Sequence, residues 1–186
     1  MTSFRLTVGM SAHGFGVSTA ALVCVVGCAV GTVAVTSASA QAQPASAKNG
    51  KPPSVIFLCP HGAAKSVLAS AYFQRLARER GLNVRVDSAG TEPDQEVSPA
   101  VAEHLTRTRH PIPVAKPRKV TASDLETADV VVSMGCDLKD LPAPRGTLVK
   151  WDDVPSPSED LGRADAAIHK RVAELVEELI RQRDKQ

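Results

Sequence analysis

Cys59-Pro60-His61-Gly62-Ala63-Ala64-Lys65-Ser66 is the stretch of this chain whose residue types can do chemistry. It follows the apolar run Val55-Ile56-Phe57-Leu58, which reads as a strand, and leads into a helical pattern that begins Val67-Leu68. A thiol at a strand end, a short loop of small residues and a helix N-terminus make a cradle for an oxyanion, with a nucleophile at its centre. Loop amides and the positive end of the helix dipole favour a bound dianion and a thiolate alike. The chemistry implied is phosphoryl or arsenyl transfer to sulfur.

Each residue of the loop then has a role to fill. Cys59 would attack phosphorus in line, dividing a hydrolysis into formation and breakdown of a phosphocysteine. Gly62, Ala63 and Ala64 supply backbone amides, and Lys65 neutralises anion charge. Ser66 donates a hydrogen bond to the thiolate, serves as a helix N-cap, or does both. His61 is placed to contact the anion or to exchange a proton near neutral pH.

The elements that must position this loop are legible as an alternation. From Ser54 onward, short β-branched runs alternate with helical patterns, which predicts a parallel sheet covered on both faces. Strands are expected at Val55–Leu58, Asn83–Asp87, Val130–Ser133 and Thr147–Trp151, with Ser88-Ala89-Gly90 read as a turn. A first helix is expected over Ser66–Arg80, stopped by Gly81. A second opens at Ser98, as N-cap, with Pro99 in the first helical position. The basic, proline-bearing stretch Thr106–Lys119 reads as a surface loop, and Thr121–Glu126 as a short helix. The final helix, over Ala164–Arg183, carries the apolar stripe Ile168, Val172, Leu175, Val176 and Leu179.

The cysteine loop with its basic residue and Ser66, then Asp87-Ser88-Ala89-Gly90-Thr91, then Ala128-Asp129-Val130-Val131-Val132-Ser133-Met134, then Trp151-Asp152-Asp153-Val154-Pro155 occur in an order that resembles the low-molecular-weight protein tyrosine phosphatases. The related arsenate reductases share it. The resemblance runs from Ser54 to the C-terminus. It implies an α/β three-layer sandwich with a four-stranded parallel sheet in order 2-1-3-4, helices on both faces and the active loop after strand one. It also implies that the leaving group takes its proton from an aspartic acid near the final helix, here Asp153, with Asp152 close behind. Trp151 is the one aromatic near that loop, and reads as a half-buried strand-end residue. Cys136 sits near the place where the reductases keep a resolving cysteine. The family motif has arginine where this chain has Lys65, asparagine where it has Gly62 and glycine where it has His61. Arginine presents a planar fork and lysine a point charge, so the first of these exchanges changes how an anion is held.

The first forty of the 186 residues stand apart from this pattern. Arg5 precedes an apolar stretch from Val17 to Val35, and Ala38-Ser39-Ala40 offers the small-x-small motif of a signal peptidase site. Residues 1–40 are therefore expected to be a signal peptide cleaved after Ala40. A retained membrane anchor is the alternative, since about 19 apolar or small residues can just span a bilayer. Residues 41–53, rich in Ala, Gln, Pro and Ser, read as a disordered linker, and residues 54–186 as one phosphatase-like domain. Only Arg5 leaves with the leader, taking 22 basic residues against 20 acidic to 21 against 20. Such a balance gives no support to nucleic-acid binding. Of four cysteines, Cys59 and Cys136 remain in the mature chain. They are too few for a disulfide scaffold, although a reversible bridge between them is expected in an oxidising compartment.

The expected function is phosphomonoester hydrolysis through Cys59, with no metal or other cofactor. The second reading is arsenate reduction by Cys59, with Cys136 or an external thiol as reductant. The third is a non-catalytic oxyanion-binding protein with a degenerate loop. The expected partners are phosphate, arsenate or a phosphorylated substrate, with a thiol reductant under the second reading and a membrane if the leader is retained. The expected location is periplasmic or extracellular.

Overall fold

The computed structural model describes residues 51–185, so the expected leader and most of the expected linker lie outside the described residues. The elements in chain order are β1 (Ser54–Cys59), α1 (Lys65–Glu79), β2 (Arg85–Gly90), α2 (Pro99–Arg107), α3 (Ala122–Thr127), β3 (Val130–Ser133), β4 (Thr147–Lys150) and α4 (Leu161–Asp184). The four strands form one parallel sheet in the order β2-β1-β3-β4. Parallel strands are bridged by helical crossovers that cover both faces, so the central strands should be buried throughout. Every residue of β1 and β3 is buried.

Strand alternation sends neighbouring residues into two different cores. Val55, Phe57 and Cys59 of β1 face α1, α2 and α4, where they meet Leu68, Phe73, Leu105, Ile168 and Val172. Ile56 and Leu58 face the opposite layer, with Leu125 of α3, Ala89 and Val131. Cys59 therefore ends β1 on the α1 side. Phe57 lies between Phe73 and Trp151, with ring centroids 5.6 and 5.9 Å away. Each such aromatic pair adds about 0.5–1.5 kcal/mol beyond the burial of its area.

Polar groups tie the three helices of the larger core together. Tyr72 of α1 donates its hydroxyl proton to Asp165 of α4, and His104 Nε2 of α2 lies 3.1 Å from the same carboxylate oxygen. Burial, followed by the hydrogen bond to Asp165 and its charge, pushes the Tyr72 phenol well above its ordinary value. Tyr72 thus remains a donor.

Several expected boundaries shift for physical reasons. Ser88-Ala89-Gly90 is strand rather than turn, because Leu58 pairs with Ala89 and Cys59 with Gly90. Ser66 lies inside α1, whose N-cap is Ala64, so Ser66 does not cap the helix. Ser98 precedes α2 without a side-chain capping bond, and Pro99 alone provides the start signal. α4 begins earlier than its apolar stripe does because Asp160 caps it, accepting from the Arg163 amide. Trp151 is buried at 5% exposure rather than half-buried, so it belongs to the core and not to a pocket wall.

Candidate functional site

Four loops converge at the carboxyl end of the sheet, the edge where open parallel sheets place their ligand sites. The first is Pro60–Ala64, between β1 and α1. Its turn closes with the Gly62 amide donating to the Cys59 carbonyl at 3.2 Å. Gly62 has φ +61°, and a Cβ there would lie 2.8 Å from the Gly90 amide nitrogen. Glycine is required by the backbone conformation and by the close approach of β2. At the position where the resemblance expects asparagine, this chain has a glycine in a left-handed turn.

Beyond that turn the chain leaves a run of donors. Among the described residues, no hydrogen bond is donated by the backbone amides of Ala63, Ala64, Lys65, Ser66 or Val67. First-turn amides of a helix have no intrahelical carbonyl to meet, and successive free amides at a loop-to-helix junction form an anion-binding concavity. Cys59 stands at its edge, 3% exposed, with its sulfur 3.2 Å from the Ser66 hydroxyl oxygen.

The loop after β2 walls one side. Glu92 N donates to Pro60 O, Asp94 N to His61 O and Ser98 N to Ala63 O, at 2.8, 3.0 and 2.9 Å. His61, otherwise exposed, meets Asp94 with Nδ1 3.3 Å from the carboxylate.

Lys65 bridges to the other two loops. Its Nζ donates to the Val154 carbonyl at 3.5 Å and lies 3.8 Å from where a side chain on Gly135 would begin. Asp152 accepts from the Gly135 amide at 3.0 Å. Asp153 instead turns toward α4, pairing with Arg171, whose guanidinium also covers the Trp151 ring. The two candidate carboxylates therefore diverge, and Asp152 is the one that stays with the loops around Lys65.

Cys136 follows β3 and is partly buried against Leu58 and its neighbours. Burial and then the nearby Cys59 push its thiol up to about 11, against the opposing Ser133 hydrogen bond, the Met134 amide and the charge of Lys65. Both cysteines are free thiols. The sequence reading missed Asp94, Gly90 and Gly135, because nothing local to any of them marks contact with a loop distant along the chain.

The low molecular weight phosphotyrosine protein phosphatase profile matches residues 54–185. The chain belongs to this family. Within it, the chain is similar to the thioredoxin-dependent arsenate reductase of Corynebacterium glutamicum, with 28% identity and a TM-score of 0.62 over 73% of this chain and 65% of that one. This chain thus spans about two thirds of that enzyme's length. An arsenate reductase from Archaeoglobus fulgidus aligns with 29% identity and a TM-score of 0.54, over 66% of this chain and 98% of its own. A low molecular weight phosphotyrosine phosphatase from Vibrio cholerae, 23% identical, shares the fold with a TM-score of 0.62, over 70% of this chain and 98% of its own.

Proposed function

We propose that this member of the family is a phosphomonoester hydrolase that passes through a phosphocysteine on Cys59. The observation that carries the reading is the buried Cys59 sulfur, hydrogen-bonded to Ser66 beside five consecutive unpaired amides. A phosphate dianion seated on those amides would place phosphorus in line with the sulfur. The Ser66 hydroxyl rotates to donate to the thiolate, and Lys65 adds positive charge where the cysteine loop meets the loops of Gly135 and Val154. Of the two candidate acids, Asp152 stays with the loops that Lys65 contacts, whereas Asp153 is committed to Arg171.

Arsenate reduction is the second reading, supported by the likeness to the two arsenate reductases. It would use Cys59 to bind arsenate and Cys136 or an external thiol to release it. A Cys136 thiol pushed up to about 11 is a poor attacking group at neutral pH, which favours hydrolysis or an external reductant. Export remains part of the proposal, supported by the Val17–Val35 run and Ala38-Ser39-Ala40. N-terminal sequencing of protein from its native host should start at Gln41.

The test is turnover of an aryl phosphate by residues 41–186, with and without thiol reductant. Hydrolysis that is lost in Cys59→Ser supports the reading. Arsenite production dependent on thiol, without ester hydrolysis, supports the second. Stoichiometric binding of phosphate with neither activity would leave a binding protein.

A further inference from the structure

The half-buried side chain of Lys65 leaves the first turn of α1 and reaches the loop after β4. Its Nζ donates to the Val154 carbonyl at 3.5 Å, and Gly135 has no side chain to fill the space beside it. Among the described residues, no other hydrogen bond joins the segment 59–66 to the segment 151–155, and Lys65 enters no salt bridge. An ammonium carries more donors than that one bond uses, so the remainder are available to an anion in the cradle. A point charge on a flexible stem can serve a carbonyl and an anion together, which suits lysine better than a planar fork.

The carbonyl that Lys65 holds ends the turn bearing both candidate acids. Trp151 O accepts from the Val154 amide at 3.2 Å, which puts Asp152 and Asp153 at the corners of that turn. Its ends are anchored, since Trp151 and Val154 are buried in the larger core and the Trp151 amide donates to Ser133 O at 2.8 Å. Asp152 uses Oδ1 to accept from the Gly135 amide, which leaves Oδ2 to carry a proton. Gly135 thus lies beside both the ammonium and the carboxyl.

We propose that Lys65 is a positioning residue for the acid turn: its bond to the Val154 carbonyl holds Asp152 where the carboxyl can protonate the departing oxygen. The inference rests on Cys59 being the phosphoryl acceptor. In the first step the Cys59 thiolate forms the S–P bond as the P–O bond to the leaving group breaks, and the departing oxygen takes the Asp152 proton. In the second, water attacks phosphorus and loses a proton to the Asp152 carboxylate. The S–P bond breaks, returning thiolate, carboxylic acid and inorganic phosphate. Lys65 transfers no proton in either step.

The experiment is a leaving-group series. kcat/KM is measured on aryl phosphates from dinitrophenyl phosphate, whose leaving group needs no proton, to phenyl phosphate, whose leaving group does. Lys65→Met should lower the rate on every ester by a common factor, through the missing charge. The loss on phenyl phosphate should be about 10–10²-fold larger, a share of what general acid catalysis supplies. Lys65→Arg keeps an N–H donor and should keep the wild-type slope. Asp152→Asn should be steeper than Lys65→Met, and adding Lys65→Met to it should steepen the series no further, because the two act on one proton transfer. A uniform loss in Lys65→Met, a slope in Lys65→Arg as steep as in Lys65→Met, a wild-type slope in Asp152→Asn, or slopes that add in the double variant would overturn the inference. Where Lys65→Met fails a circular dichroism check, Lys65→Gln, too short to reach the carbonyl, takes its place with the same outcomes. Failure of the underlying reading has a different signature: full activity in Cys59→Ser, or no ester hydrolysis by the wild-type protein, and either would remove this proposal with it.

Discussion

The Ser66 hydroxyl oxygen lies 3.2 Å from the Cys59 sulfur, in a position where neither atom reaches solvent freely. Ser66 is wholly buried and heads no cap, so this contact accounts for its polarity. A hydrogen bond to a charged group is worth about 1.5–3 kcal/mol, which is roughly a tenfold to hundredfold change in rate. Ser66→Ala should therefore lower kcat on an aryl phosphate by that factor while leaving the fold intact by circular dichroism. An unchanged kcat would mean that the hydroxyl does not support the nucleophile.

Gly62 and Gly81 offer a matched pair. Both adopt positive φ, +61° and +62°, but a Cβ on Gly62 would strike the β2 backbone whereas one on Gly81 meets nothing within 4 Å. Gly81→Ala should cost about 1 kcal/mol, the backbone penalty alone. Gly62→Ala should cost more in chemical denaturation and should also lose most vanadate affinity, because the turn that presents the amides must shift. Equal costs for the two would contradict the tight docking of the loop on Gly90.

Lys65→Arg should raise phosphatase turnover roughly tenfold, equivalent to about 1.4 kcal/mol, since a guanidinium fork matches two phosphate oxygens better than an ammonium does. Steady-state kinetics on an aryl phosphate provide the check. A sharp fall would instead mean that the Lys65 link to the Val154 carbonyl, and the loop position it sets, matters more than how the anion is gripped.

Away from the site, Arg118 clasps Asp87 of β2 and Asp124 of α3. Burial pushes the Asp124 carboxyl up, but the Arg118 guanidinium and the Thr121 amide and hydroxyl outweigh it, so its pKa lies below the ordinary value. A depressed carboxyl contributes stability above its unfolded value and loses it as pH falls through the folded one. The stability gap between wild type and Asp124→Asn should accordingly be full at neutral pH and close as pH falls below the ordinary carboxylate range. A gap independent of pH in urea titrations would contradict this origin.

How much of this was legible depended on how local each signal was. The strand, cysteine, small-residue loop and helix start lie within fifteen residues, so composition alone pointed to the cradle. The strand order was carried by the resemblance and agrees with the observed sheet. Ser88-Ala89-Gly90 was misread as a turn because small residues are poor strand formers in isolation; pairing with Leu58 and Cys59 overrides that preference. The divergence of Asp152 and Asp153 had no sequence signal, since adjacent side chains differ only in what the tertiary structure offers them. The joining of Tyr72, His104 and Asp165 was equally hidden, because its members come from three helices.

The central claim is that Cys59 carries the phosphoryl group. The direct measurement is acid quenching of the mature protein during turnover of an aryl phosphate, followed by peptide mass spectrometry. The account predicts the mass of one phosphoryl group on the peptide containing Cys59, absent from Cys59→Ala and decaying as substrate is exhausted. Ester hydrolysis proceeding with an unmodified Cys59 peptide, or with the phosphoryl group on another residue, would contradict it.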